Sequence, residues 1–161
     1  MALEVYSSLT ALGTLLSTQW AGAVSDKSAT GVDTPGGYTV VEPGLTRLRH
    51  TSFPWVFIIP APRGQPFPLE PESTMPMSRW VLPVRIWLGM RDDSGKETDA
   101  HGLACDYLQV MDYILTNNNQ PDSFSELGAR RRAGFGAFEG PKRMVWGAFY
   151  DVELGIRPSY S

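Results

Sequence analysis

The sequence is poor in the residues that build metal sites and covalent cross-links. Its 161 residues include one cysteine, Cys105, and two histidines. A single cysteine cannot close a disulfide within the chain, and this set is too small for the His and Cys spacings of a zinc site. We therefore expect an intracellular protein without a metal or other cofactor, in which Cys105 is a small buried side chain on a helix.

Charge and long apolar runs are also scarce. Charged residues make up 19% of the chain, the net charge is -3 and the pI is about 5.3. This balance argues against nucleic acid or an anionic membrane as the main partner. No window has the ~20 apolar residues of a membrane span, and the first residues lack the basic region of a secretory signal. We expect part of the weakly charged surface to belong to a protein interface.

An alternating stretch marks the element around which the chain is organised. From Trp80 to Leu88 every even position is large and apolar while the odd positions are mixed, a period of two that predicts a half-buried strand. Asp99 is suited to cap a helix, and apolar residues recur after it at helical spacing as far as Leu115. The sequence therefore predicts a strand covered on its apolar face by this helix.

Further segments complete a single domain over residues 1–161. They are a helix from Leu3 to Gln19, a short strand from Tyr38 to Val41, an aromatic strand from Phe53 to Ile59, a helical turn from Ser123 to Leu127, a glycine-rich bend from Gly134 to Phe138 and a closing strand from Val145 to Ile156. The fold class is α/β (α+β), with a central, mostly antiparallel β-sheet on which the N-terminal helix and the second helix pack. The strand from Trp80 to Leu88 is expected to pair with both the aromatic and the closing strand.

A proline-rich segment at 60–79 separates the first two long strands. From Pro60 to Ser78 it cannot form regular structure, and a connection of this length in a compact domain usually has a function. We expect a long arm that orders only against a partner. Its candidate interface residues are Arg63, Phe67, Leu69, Met75 and Met77.

The titratable residues form no catalytic pattern in the sequence. Asp92 and Asp93 lie in a predicted turn, and His101 and Asp106 are five positions apart, which does not place them on one helix face. An acidic turn next to a helix N-terminus is the simpler interpretation, because the helix dipole favours negative charge there. We therefore predict that the chain is not an enzyme.

Three adjacent arginines form the one concentrated basic site. Arg130, Arg131 and Arg132 are expected to pair with acidic groups of an adjacent subunit, and Asp151 and Glu153 are suited because they alternate outward on the closing strand. Nucleic-acid binding by these arginines is the alternative, which the acidic balance of the whole chain disfavours.

The order of elements resembles that of the tail terminator, or tail completion, proteins of long-tailed bacteriophages. The resemblance rests on Phe-Pro-Trp-Val-Phe-Ile, Trp-Val-Leu-Pro-Val-Arg-Ile-Trp and Trp-Gly-Ala-Phe-Tyr-Asp-Val-Glu-Leu in the three long strands. It implies a homohexameric ring in the virion neck, assembled in the host cytoplasm, that caps the tail tube protein and meets a head-completion protein. DNA would only pass through its channel.

Three alternatives to the tail terminator remain open. The chain could be another head-tail connector or head-completion protein of the same neck. It could also be a small metal-dependent hydrolase that uses Asp92, Asp93 and His101. The third alternative is a nucleic-acid-binding module built on the three arginines.

Overall fold

The computed structural model describes residues 2–3, 5–41, 53–60, 70–71, 80–90, 97–139 and 144–159. They form two helices and a mostly antiparallel sheet, so the predicted α+β class is confirmed. In chain order the elements are β1 (Ala2–Leu3), α1 (Val5–Asp26), β2 (Tyr38–Val40), β3 (Trp55–Pro60), β4 (Glu70–Pro71), β5 (Trp80–Gly89), α2 (Glu97–Asn117), β6 (Ser125–Glu139), β7 (Met144–Ile156) and β8 (Pro158–Ser159).

The main sheet has six strands, with β5 at its centre. Its order is β2-β3-β5-β7-β6, and the short β4 also pairs with β5. Only β2 and β3 run parallel, while β5 pairs antiparallel with both β3 and β7. The register sets Ile86 opposite Ile58 on one side and opposite Tyr150 on the other. Both pairings predicted for β5 are therefore confirmed.

Both helices pack on one face of this sheet. The even positions of β5 from Leu82 to Leu88 are buried in one cluster with apolar residues of α1 and α2, as the alternation predicts. Trp20 of α1 and Tyr107 of α2 are fully buried there, with ring centroids 6.1 Å apart. Burial raises the pKa of the Tyr107 phenol to about 12, and the phenol oxygen accepts a hydrogen bond from the backbone N–H of Asp33.

The helices depart from the prediction in their limits and in the exposure of Cys105. Helix α1 continues to Asp26 because Trp20 and Ala23 extend its buried stripe beyond Gln19. Helix α2 begins at Glu97, so Asp99 lies in its first turn and does not cap it. Cys105 is exposed, and the prediction of a buried thiol is wrong because its position falls beside the apolar stripe and outside it. Neither described helix is long and apolar enough to cross a membrane.

The segment from Ser123 to Glu139 is the largest departure from the prediction. The helical turn and the glycine-rich bend expected here are both wrong, because residues from Ser125 onward form one long strand, β6, paired with β7. Local sequence favoured turns, since glycine and arginine interrupt the alternation. Pairing with the long β7 overrides that preference.

The proline-rich segment contains more regular structure than expected. Pro60 is the last residue of β3, and Glu70–Pro71 forms β4 opposite Val81 and Trp80. The prediction that no part of this segment is regular is therefore wrong, because a central strand can pair two residues of even a proline-rich chain. The five arm residues proposed as interface anchors lie outside the described residues.

Candidate functional site on the outer face of the sheet

The sheet face opposite the helices, which we call the outer face, carries a group of charged and aromatic side chains. It consists of the odd positions of β3, β5 and β7 together with the even positions of β6 from Arg132. Two cross-strand rows define it. The rows are Ile59-Arg85-Asp151-Arg132 and Phe57-Trp87-Phe149-Gly134.

Asp151 binds two arginines of its own chain. Arg85 holds it in a two-pronged contact, in which Nε donates to Oδ1 at 2.7 Å and Nη2 donates to Oδ2 at 3.0 Å. The Nε atom of Arg132 lies 3.4 Å from Oδ2. The Asp151 side chain is 15% exposed, that of Arg85 26% and that of Arg132 54%. The forked Arg85 contact is thus the partly buried, geometrically specific one, and Arg132 adds a looser charge at the rim.

The ring of Phe149 lies beside both guanidinium groups. The Cζ atom of Arg85 is 4.5 Å from the ring centroid, and that of Arg132 is 5.4 Å away. A cation over an aromatic ring within about 6 Å is attracted to it by roughly 0.5–1 kcal/mol at exposed sites. Phe149 therefore helps to hold both arginines against the carboxylate between them.

Aromatic rings lie over glycines of neighbouring strands across this face. Trp87 lies over Gly147, and a Cβ atom built on Gly147 would overlap the indole. Phe149 covers Gly134, where a Cβ atom would come within 2.9 Å of the ring. Each glycine allows a large aromatic ring to rest close to the backbone. The ring in turn compensates for the packing that a glycine in a strand would otherwise lack. On the outer face, the aromatic rings of Trp87 and Phe149 therefore lie against the backbone of neighbouring strands.

The structure brings together only some of the residues predicted to form an interface. Arg132 and Asp151 are neighbours within one chain, so the expected contact of Asp151 with another subunit competes with two arginines already in place. Arg130 lies opposite Val152 in the irregular part of β6, and Arg131 follows it. Glu153 is also on the outer face, opposite Pro83. Pairing of these arginines with an adjacent subunit stays a prediction.

Sequence reasoning missed Arg85, Trp87 and Phe149 as members of this face. All three stand at odd positions of strands that were correctly predicted, so the alternation alone places them away from the helices. The contacts among these side chains depend on the register between β5 and β7, which cannot be read from the sequence.

The residues weighed as a catalytic cluster do not converge in the described part of the chain. His101 packs against aromatic rings, with centroids 5.0 Å from Phe135 and 4.9 Å from Trp146. Asp106 is exposed on α2, and Asp92 and Asp93 lie outside the described residues. Within those residues there is no group of three or more His, Cys, Asp and Glu side chains that could hold a metal ion.

Comparisons with known proteins add no relative. No protein-family model matches the chain, and no curated protein matches it. Function is therefore inferred from the arrangement of the residues and from the order of the elements.

We expect Arg85→Ala to destabilise the protein by about 2 kcal/mol. The change removes both charge-assisted hydrogen bonds of the fork and leaves a largely buried carboxylate with one loose partner. Arg132→Ala is the matched control and should cost less than about 1 kcal/mol, because Arg132 is more than half exposed. Urea unfolding at neutral pH gives both values. Equal losses of unfolding free energy in the two variants would show that the two-pronged Arg85 contact stabilises the protein no more than the looser Arg132 contact does.

Proposed function

We propose that this chain is a structural ring protein of a bacteriophage neck, a tail terminator that caps the tail tube and joins it to a head-completion protein. The order of the described elements supports the proposal. An N-terminal helix, an aromatic strand, a central strand, a second helix and a long closing strand occur in the order on which the sequence resemblance rests, and β6 is an additional strand between the second helix and the closing strand.

A ring requires two unlike surfaces on each subunit, one for each neighbour. The outer face is one candidate, because it displays aromatic side chains and charged side chains that pair within the same chain. The outward side of α1 is the other, since this helix has no charged residue before Asp26 and Tyr6 on it is 72% exposed. The hydroxyls of Thr14 and Thr18 bond to carbonyls of their own helix, so this side offers methyl groups to a neighbour.

Weak binding to DNA fits passage of DNA through a channel. Each phosphate that a protein neutralises adds salt-sensitive affinity, which would hold the DNA in place. The chain carries a net charge of -3, and Arg85 and Arg132 both contact Asp151. A second candidate is another connector or head-completion protein of the same neck, for which the same surfaces would serve.

The test is the assembly state of the purified full chain. Light scattering coupled to gel filtration and negative-stain electron microscopy should reveal six-membered closed rings, and filter retention at moderate salt should show little DNA binding. A chain that forms no ring at any concentration, alone or with tail tube protein, would overturn the proposal. Tight, salt-sensitive DNA retention would favour the nucleic-acid alternative instead.

A further inference from the structure

Strand β6 forms one edge of the main sheet. It pairs with β7 on one side, and no strand of the described residues pairs with its other side. An edge strand presents unpaired N–H and C=O groups that can accept a further strand. Proteins usually protect such edges with bulges, charges or proline.

Only the first half of β6 has this protection. The register shifts between Leu127 and Arg130 and again between Arg130 and Arg132, and the three arginines stand in this irregular part. From Arg132 to Glu139 the ladder with β7 is regular, and its interior contains neither proline nor charge. The second half is thus an open edge, suited to pairing with another chain.

The sequence of the open half is symmetric about Phe135. Residues 133–137 read Ala-Gly-Phe-Gly-Ala, the same in both directions. Two antiparallel copies centred on Phe135 place alanine opposite alanine and glycine opposite glycine. The same register sets Arg132 opposite Phe138, near the two ends of the regular half.

Hydrogen-bond geometry permits this register. In an antiparallel ladder the N–H and C=O groups of alternate residues point to the same side, so two edges can pair only where residues of matching orientation meet. A two-fold axis through a residue always satisfies this condition, whereas an axis between two residues does not. An axis at Phe135 therefore joins the two edges without a slip.

We propose that β6 is the edge through which two copies of this chain join their sheets, about a two-fold axis at Phe135. Phe135 is 41% exposed, on the helix side of the sheet beside His101 of α2. In the pair, the two Phe135 rings meet and are flanked by the two His101 rings. The contact thus buries an aromatic residue that the single chain leaves half exposed.

This dimer is a separate contact from those of the proposed ring. Neighbours in a closed ring join unlike surfaces, whereas this edge joins itself. A contact limited to one strand pair and a ring cluster is small, and small interfaces are typical of weak association. The dimer should therefore form and dissociate with concentration.

The test uses opposite charges at the symmetric position. Phe135→Glu and Phe135→Lys each place like charges face to face, so each variant alone should sediment at half the mass of the wild type at the same concentration. A one-to-one mixture should restore the dimer, because glutamate then meets lysine. Phe124 is the control, since it is 39% exposed and lies outside the regular half of β6. Phe124→Glu and Phe124→Lys should dimerise as the wild type does.

Cooperative thermal melting of both Phe135 variants establishes that they are folded. If the folded variants fail to pair when mixed, or if they dimerise alone, Phe135 does not meet itself and the proposal is overturned. A wild type whose mass never exceeds that of the Phe135 variants overturns it too. If a Phe135 variant that does not dimerise still forms oligomeric rings in micrographs, the proposed function is supported independently of the dimer. If the wild type dimerises as expected but neither protein forms oligomeric rings, the result counts against the proposed function and not against the dimer.

Discussion

Replacing Ile86 with aspartate is expected to abolish the folded state. Ile86 is fully buried in β5, between Ile58 and Tyr150 on the neighbouring strands and beneath the helices. An unpaired charge in such a place costs several kcal/mol, which is comparable to the total stability of about 5–15 kcal/mol for a domain. The variant should therefore lack a cooperative thermal transition and lose near-ultraviolet circular dichroism.

Ile59 provides a matched control for this change. It is an isoleucine on the adjacent strand, but it is only partly buried on the outer face and lies opposite Arg85. Ile59→Asp keeps access to water and gains a cation nearby, so the protein should fold with a loss of no more than about 1–2 kcal/mol. A soluble, cooperatively melting Ile86→Asp protein would refute the placement of this side chain in the core.

The elements with a regular apolar period were predictable. The alternation from Trp80 to Leu88 identifies β5 and its buried face, and the helical spacing after Asp99 identifies α2. Both patterns arise because one side of each element is removed from water while the other is not. By the same logic, the sequence alone places Arg85 on the face away from the helices.

Contacts across the sheet were not predictable in the same way. Asp151 was expected to serve an adjacent subunit, yet Arg85 from the neighbouring strand holds it. That contact follows from the register of β5 on β7, and a shift of one residue would turn each side chain to the other face. Register depends on packing along the whole strand pair, which no local pattern in the sequence encodes.

The glycines of the outer face show why β6 was misjudged. The sequence around Gly134 and Gly136 predicts a bend, because glycine is most often found in turns. In the structure Gly134 lies beneath the ring of Phe149, where any side chain would collide with it. A glycine in a strand can mark the close approach of another group. That group can be identified only when the neighbouring strand and its register are known.

We expect Gly147→Val to destabilise the protein by about 3 kcal/mol. The indole of Trp87 rests on Gly147, so the new Cβ atom and its two methyl groups would displace that ring. Overfilling a packed site typically costs about 1–3 kcal/mol, and a branched side chain beneath a rigid double ring belongs at the upper end of that range. Urea unfolding and the emission spectrum of the displaced tryptophan would measure the effect.

Gly136 is the matched control, because it lies directly opposite Gly147 on β6 and a Cβ atom there meets nothing within 4 Å. Gly136→Val should leave stability unchanged or raise it slightly, since valine favours the strand conformation more than glycine does. The comparison separates the space beneath Trp87 from a general intolerance of side chains at glycine positions. If both valines cost the same, the ring over Gly147 is not the cause and the described packing of the outer face is wrong.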